Sequence, residues 1–155
     1  MDDYYVHLPK KRMGAGVLLF NRAGELLIVK PSYKNHWSIP GGVVEVDESP
    51  KAGCIREVKE ETGLDLPNLE FLCVDYCGAN DVKNESLQFV FSGDVLSRKQ
   101  ISSIRVDGKE IIDYQFVQIK NLEKYLAKRK NLWRRLPKCL EALKKNTFVY
   151  LENGE

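Results

Sequence analysis

The sequence lacks any long hydrophobic run. No apolar stretch in its 155 residues approaches the roughly 20 residues that a membrane-spanning helix needs. The opening residues, Met1 to Tyr4, also lack the positively charged start that is typical of a secretory signal peptide. We therefore expect a cytoplasmic protein that has no membrane partner.

The chain also has little excess of charge of either sign. Lys and Arg number 24 against 22 Asp and Glu, which gives a formal net charge of +2. This near balance argues against a protein built mainly to bind nucleic acid or an anionic membrane. The sequence shows no repeat, low-complexity segment or linker, and we predict a single domain over 1–155 with a substantial core.

Cysteine is scarce, and its spacing argues against two kinds of site. No two cysteines form a C-x-x-C pair, and neither histidine stands at zinc-ligand spacing from them. Two of the cysteines lie in an apolar, strand-like run, where a free thiol behaves as a small buried hydrophobe. We therefore predict neither a zinc site nor a disulfide framework for Cys54, Cys73, Cys77 and Cys139.

The most informative stretch is 41–64, which reads GGVVEVDESPKAGCIREVKEETGL. It opens with a Pro40-Gly41-Gly42 turn, where bare backbone can approach a ligand closely. Ser49 followed by Pro50 is a helix-start signal, and Gly63 is a helix-end signal. These signals predict a helix of about three to four turns.

Three glutamates share one face of this predicted helix. Glu57, Glu60 and Glu61 are spaced i,i+3 and i,i+4, and their mutual repulsion would turn into coordination around a cation. Carboxylate and carbonyl oxygens are the ligands that Mg²⁺ or Mn²⁺ prefers, so Gly41 can add its carbonyl oxygen to the set. Arg56 can pair with Glu60 or hold a neighbouring carboxylate. The competing interpretation is a solvated acidic helix face.

The complete spacing favours the metal site. The spacing begins at Gly42 and continues through Glu48, the Arg56-Glu57 pair and the Glu60-Glu61 pair to Gly63, which an aliphatic residue follows. These are the positions of the Nudix box, here from Gly42 to Leu64. Seven such residues coincide by chance at on the order of 10⁻⁸ to 10⁻⁹ per starting position. The chain therefore resembles the Nudix hydrolases, which cleave nucleoside diphosphates linked to a further group.

This resemblance implies a fold and a division of roles. The fold implied is an α/β/α sandwich with a mixed central sheet, which agrees with the α+β class that the order of strands and helices indicates. Glu60 and Glu61 are the main metal ligands implied, and Glu57 is a ligand or the general base. Arg56 orients Glu57, and Glu48 gives outer support.

Nudix enzymes often add a carboxylate from a loop outside the box. Glu110, which stands six residues before Phe116, fits this role best. Glu85, Asp107 and Asp113 are the alternatives, and a surface loop is the competing interpretation for Glu110. For the substrate, the candidate contacts are Tyr33, His36 and Tyr76, with Asn80 and Phe89 as further candidates for the same pocket. A position in the core or on the surface is the competing interpretation for each of them.

Outside the box, hydrophobic patterns predict strands over 13–20, 25–30, 43–45, 69–77, 86–95 and 111–119. A hairpin turn at 21–24 joins the first two strands. At the two ends of the chain, segments 1–11 and 147–151 could each form an edge strand. Segment 97–108 is polar and mixed, with a short turn or strand. A helical pattern over 122–145 contains Pro137, where we expect a kink or two abutting helices.

The pattern as a whole favours a metal-dependent hydrolase of a small nucleoside diphosphate derivative. An RNA 5′-end pyrophosphohydrolase is the alternative, because residues 120–145 carry many Lys and Arg. We interpret these charges as the solvated face of an amphipathic helix, so that nucleic acid is not the expected partner. A non-catalytic nucleotide-binding module is a further alternative, and a homodimer is compatible with each.

Overall fold

The computed structural model describes residues 3–155, so the first two residues of the predicted domain lie outside it. In segment 1–11, where an edge strand is one of the alternatives, the structure has a short 3₁₀ turn at Tyr5–His7. The strands are β1 (Arg12–Leu18), β2 (Leu26–Pro31), β3 (Gly41–Val43), β4 (Leu69–Cys77), β5 (Ser86–Gly93), β6 (Ile111–Val117) and β7 (Val149–Glu152). The helices are α1 (Pro50–Thr62), α2 (Arg98–Ser102), α3 (Glu123–Leu126) and α4 (Lys130–Lys144), and a second 3₁₀ turn covers Ile119–Asn121.

Five strands form a mixed sheet in the order β3-β1-β5-β4-β7, and β2 pairs with β6 in a separate antiparallel sheet. Alternating side chains of β1 face opposite sides of the large sheet, as the strand period of two requires. Val17 packs in one apolar cluster with Val58 of α1. Leu18 packs in the other with Leu136 of α4. Helices thus cover both faces, and the α+β class and the α/β/α sandwich are confirmed.

The hairpin turn predicted at 21–24 is present. It is closed by an antiparallel bridge between Phe20 and Leu26 and by backbone hydrogen bonds from Leu27 N to Leu19 O at 2.8 Å and from Asn21 N to Glu25 O at 3.1 Å. β1 and β2 then enter different sheets, because β3 and β5 already occupy both edges of β1. The apolar pattern identified both strands but not their partners.

Two further predictions need correction. Segment 97–108 contains the short helix α2, whose start is fixed by a capping box between Ser97 and Gln100. The C-terminal helical region is interrupted before α4. Pro137 lies inside α4, so the alternative of two helices that meet at this residue is wrong. Arg129 leaves the helical region just before α4, with φ −90° and ψ 77°, and its side chain is held by Ser38. This tertiary contact sets the break.

No helix within residues 3–155 is long and apolar enough to cross a membrane. All four cysteines are free and buried, as expected for small core side chains. The strand considered near the C-terminus is present as β7, which pairs in parallel with β4 at one edge of the large sheet.

Candidate active site

Helix α1 begins and ends where its local signals place it. The Ser49 Oγ accepts a hydrogen bond from the Ala52 N–H at 3.1 Å. At the other end Gly63 adopts a left-handed φ of 77° and its N–H donates to the Lys59 carbonyl. Because both ends are fixed, the three glutamates of the helix take defined positions relative to the β3 backbone.

Glu61 is buried at this junction, with 8% of its surface exposed. Its Oε2 accepts a hydrogen bond of 3.1 Å from the Gly41 N–H. Burial, outweighing that hydrogen bond, raises the pKa of Glu61 to about 8, and the nearby Glu57 and Glu110 carboxylates add to the rise. Burial likewise raises the pKa of Glu57. The site thus holds carboxylates whose negative charge is poorly compensated.

Arg56 links the remaining carboxylates of the motif. Its Nε and Nη2 donate to the two carboxylate oxygens of Glu48 at 2.8 and 3.0 Å, a bidentate contact. This contact lowers the pKa of Glu48 to about 2. Arg56 Nη1 donates to Glu57 Oε1 at 3.1 Å and to Glu60 Oε2 at 3.2 Å. The guanidinium can therefore orient Glu57, while Glu48 fixes the guanidinium.

The two glycines of the turn are required by close contacts. A Cβ at Gly42 would lie 2.3 Å from Glu57 Cδ. Gly41 has a φ of +147°, and a Cβ there would lie 2.2 Å from the Ala15 carbonyl oxygen. Bare backbone at Gly42 lets the Glu57 carboxylate reach β3, and bare backbone at Gly41 lets β3 pack closely against β1.

Replacing Gly42 by Ala should therefore displace the Glu57 carboxylate. We expect turnover to fall by about 10- to 100-fold, because a shift of about 1 Å in a reacting group can cost that much. Steady-state kinetics should be compared with Gly78→Ala, where the added Cβ meets its nearest neighbour at 3.6 Å. Parent-like turnover in Gly42→Ala would show that Glu57 need not hold this position.

A cavity of about 670 Å³ opens beside this junction. Its wall includes the carboxylates Glu57, Glu61 and Glu110 together with both glycines of the turn. The structure thus brings the loop glutamate Glu110 to the same cavity as the helix glutamates. Glu60 is exposed and does not line it.

Two of the three predicted substrate residues reach the cavity. Tyr33 lines it with 68% of its surface exposed, and partial desolvation, followed by the Glu110 charge, raises its pKa. His36 also lines it, and burial lowers the pKa of its ring. Asn80 and Phe89 belong to the same wall.

Tyr76 is not brought to the cavity wall. Its hydroxyl donates to Glu85 Oε2, and Lys11 pairs with the same carboxylate. The next residue, Cys77, does line the cavity, and successive side chains of a strand point to opposite faces. This alternation explains why Tyr76 is directed away. The alternative carboxylate Glu85 is held by Tyr76 and Lys11 and does not line the cavity either.

The two other alternative carboxylates have local contacts. Asp107 Oδ1 accepts hydrogen bonds from the backbone N–H groups of Lys109, Glu110 and Ile111, so it fixes the loop that carries Glu110. Asp113 is exposed and its Oδ1 accepts a hydrogen bond from the Tyr114 N–H. Neither lines the cavity.

The cavity also has a positively charged wall, which the sequence did not predict. Five of the basic residues that line the cavity are here called the basic wall: Lys34, Lys83, Lys128, Arg129 and Lys130. Three of them, Lys128, Arg129 and Lys130, belong to the region interpreted as a solvated helix face. Lys128 and Lys130 are exposed, as that interpretation requires, whereas Arg129 is partly buried and for it the interpretation needs correction. All three lie at the interruption before α4, which no local signal marks, so no sequence pattern placed them beside the acidic residues.

A divalent cation fits the chemistry of the acidic residues. Within the described part of the chain, no three His, Cys, Asp or Glu side chains are gathered closely enough to form a ready metal cluster. The donors are nevertheless the oxygen ligands that Mg²⁺ and Mn²⁺ prefer. Burial raises the pKa of Glu61, and the positive charge of a bound cation would lower it again and favour the ionised carboxylate.

Comparison with known proteins gives the family context. The family model of the NUDIX domain matches residues 10–141. The chain is 41% identical over 66 residues to Nudix hydrolase 5 of Arabidopsis thaliana, and this match covers 39% of the chain and 22% of that protein. It is 38% identical over 61 residues to an RNA pyrophosphohydrolase of Marinomonas sp. (strain MWYL1), covering 39% of the chain and 38% of that protein. The matched part is thus well under half the length of either relative.

The fold has solved counterparts. The NUDIX domain of Shewanella oneidensis NrtR, in complex with ADP ribose, superposes with a TM-score of 0.70. This match covers 95% of the chain and 99% of that domain at 17% sequence identity. At this identity the likeness concerns the fold alone.

Proposed function

The chain belongs to the NUDIX domain family, and we propose that it is a hydrolase that cleaves the pyrophosphate bond of a small nucleoside diphosphate derivative. Nucleoside triphosphates, nucleotide sugars and dinucleotides of the ADP-ribose type are the candidate substrates. The main support is the cavity that Glu57, Glu61 and Glu110 line together, where the buried Glu61 accepts a hydrogen bond from the Gly41 backbone. Such a set of carboxylates suits the metal-assisted hydrolysis of phosphates.

Each residue of the site has a proposed role. Mg²⁺ or Mn²⁺ would be held by Glu57, Glu61, Glu110 and the Gly41 carbonyl, all of which line the cavity. Glu60, which is exposed and outside the cavity lining, is proposed as a further ligand from the same helix. When bound, the ion activates water and neutralises phosphoryl oxygens. Glu57 acts as a ligand or as the acceptor of the water proton, and its raised pKa brings it closer to the range of an effective base. Arg56 orients Glu57 through the 3.1 Å contact, and Glu48 holds Arg56.

Removal of divalent ions should abolish the activity. We expect no turnover in excess EDTA and recovery on adding Mg²⁺ or Mn²⁺, because the clustered carboxylates need a cation to bind an anionic substrate. The measurement is the release of phosphate or pyrophosphate from a panel of nucleoside triphosphates, nucleotide sugars and ADP-ribose. Full turnover in EDTA would contradict the metal requirement, and no turnover of any compound with either ion would contradict the hydrolase.

A second candidate is hydrolysis at the 5′ end of RNA. It is favoured by the basic wall, which extends the cavity with cationic side chains, and a relative named RNA pyrophosphohydrolase matches part of the chain. The affinity of a 5′-triphosphorylated RNA should then fall steeply between about 50 and 200 mM salt, with a log–log slope near −0.7 per contacted phosphate. A weak, salt-insensitive interaction would leave the small nucleotide as the substrate.

A non-catalytic nucleotide-binding module is the alternative from another class. It predicts nucleotide binding without product release in the same panel. The complete set of Arg56 and the three helix glutamates argues against it, because a binding module has no need for clustered like charges.

A further inference from the structure

The basic wall differs from ordinary surface lysines because its charges are not paired. None of its five members takes part in an ion pair within the part of the chain that the structure describes. Arg135, a more deeply buried basic residue of the same cavity, is neutralised by Asp75 at 2.7 Å. Lys34 Nζ lies over the Tyr33 ring, 5.2 Å from its centroid, a contact that leaves the charge of the lysine unneutralised. The positive charge of the basic wall is therefore available to a ligand.

Arg129 and Lys34 differ from the other three members of this wall, which are exposed. Both are partly buried, and the Arg129 guanidinium donates to the neutral Ser38 hydroxyl. Burial, followed by the positive charge of Arg135, lowers the pKa of Arg129. Burial, followed by the charges of Arg129 and Lys83, lowers the pKa of Lys34. A dianion between these groups would relieve both the desolvation and the mutual repulsion.

The N-terminus of α4 adds a partial positive charge to the basic wall. Arg129 is the N-cap of α4, so the positive end of the helix dipole lies at this wall. The first turn of α4 carries no acidic residue, and Arg129 makes no side-chain capping hydrogen bond. Lys130, Asn131 and Leu132 from this turn all line the cavity. Side chains and helix terminus therefore favour the same kind of ligand, an anion.

The place of the basic wall in the cavity indicates which anion. In the proposed function the scissile pyrophosphate lies with the divalent ion at the acidic residues Glu57, Glu61 and Glu110. The basic wall is a different part of the same cavity lining and offers cationic side chains, so it suits a phosphate that the acidic residues and their ion do not hold. We propose that Arg129 and Lys34 bind a phosphate group of the substrate that lies beyond the two phosphates joined by the scissile bond. This inference rests on the proposed function, because it assigns a further feature to the same substrate.

Binding of inorganic phosphate in EDTA tests the site without any catalysis. By isothermal titration calorimetry at low salt, the parent should bind phosphate saturably at one site. Arg129→Gln should bind about tenfold more weakly, and Lys34→Gln, whose side chain has no hydrogen-bond partner to lose among the described contacts, several-fold more weakly. The matched controls Arg134→Gln and Lys138→Gln, exposed on α4 and outside the cavity, should bind like the parent.

The proposal is overturned if the parent shows no saturable phosphate binding, or if the controls weaken as much as Arg129→Gln and Lys34→Gln. Thermal unfolding of each variant checks that the fold is retained. If Arg129→Gln is misfolded, Lys34→Gln decides the outcome.

Kinetics with Mg²⁺ then connect the site to the substrate. ATP carries one phosphate beyond a scissile pyrophosphate, and ADP-ribose carries none. We expect Arg129→Gln to raise the KM for ATP at least fivefold and that for ADP-ribose less than twofold. Equal changes for the two compounds would contradict the assignment. If the parent hydrolyses neither compound nor any other in the panel, the proposed hydrolase fails, and phosphate binding in EDTA still decides whether the basic wall is an anion site.

Discussion

Replacing Glu61 by Gln should lower turnover by at least about 100-fold, which corresponds to about 2.7 kcal/mol of transition-state stabilisation. The substitution removes the charge of the most deeply buried carboxylate of the cavity and so weakens the metal site. The amide oxygen of the new side chain can still accept the hydrogen bond from the Gly41 N–H, so the local geometry should persist. Steady-state kinetics over a range of Mg²⁺ concentrations would measure the loss.

The same substitution should have the opposite effect on stability in metal-free buffer. Between pH 4.5 and about 8 the folded protein keeps the Glu61 proton while the unfolded chain has lost it, because the folded pKa is the higher one. Stability therefore falls as pH rises through this range, by up to a few kcal/mol (~1.4 kcal/mol per pH unit). Glu61→Gln removes the ionisable group and with it this loss of stability at high pH. In EDTA at pH 8 the variant should therefore unfold at a higher temperature than the parent.

An exposed glutamate provides the control for both effects. Glu70→Gln, on the surface of β4, should leave turnover and the pH dependence of unfolding as in the parent. Parallel losses of activity and thermal stability in Glu61→Gln would instead indicate a structural role for Glu61.

Replacing Asp75 by Asn should destabilise the fold by about 3–5 kcal/mol, as expected when one partner of a buried ion pair is removed. The Asp75 side chain is fully buried. One carboxylate oxygen accepts the Arg135 Nε–H at 2.7 Å and the other accepts the Gly154 N–H at 3.1 Å. The substitution leaves the Arg135 guanidinium buried without its counter-charge and loosens α4 and the C-terminal turn from β4. Urea unfolding would measure the loss.

An exposed ion pair of the same helix region gives the comparison. Glu141 and Lys145 are paired at 2.7 Å, with more than half of each side chain exposed. Glu141→Gln should cost no more than about 0.5 kcal/mol, because water screens such pairs. A similarly small cost for Asp75→Asn would show that the buried pair does not hold α4 on the sheet.

The local structure of the candidate site could be predicted closely. Ser49 and Gly63 defined both ends of α1, because a capping side chain and a left-handed residue act within four residues of the helix end. The spacing of Glu57, Glu60 and Glu61 then set a common helix face, and β4 follows its apolar pattern from Leu69 to Cys77. Each of these features depends on neighbours along the chain.

The cavity itself could be predicted only in part. Glu110 was selected through the family resemblance, and the structure places it on the cavity wall with Tyr33 and His36. Tyr76 was proposed for the same pocket but lies on the opposite face of β4, paired with Glu85. A one-residue difference along a strand decides between the two faces, and an apolar pattern as mixed as that of β4 does not identify the face that lines a cavity.

The sequence by itself determined the family, the helix that carries the carboxylates and the type of metal they suit. The tertiary structure alone decided that β1 and β2 separate into different sheets, that α4 passes through Pro137, and that Arg129 reaches Ser38 across 91 positions of the chain. It also decided that the basic wall shares a cavity with Glu61. The physical reason is the range of the interactions: caps and helix faces are set by residues within one or two turns, whereas these contacts arise from packing between elements that are distant in the sequence and leave no local pattern.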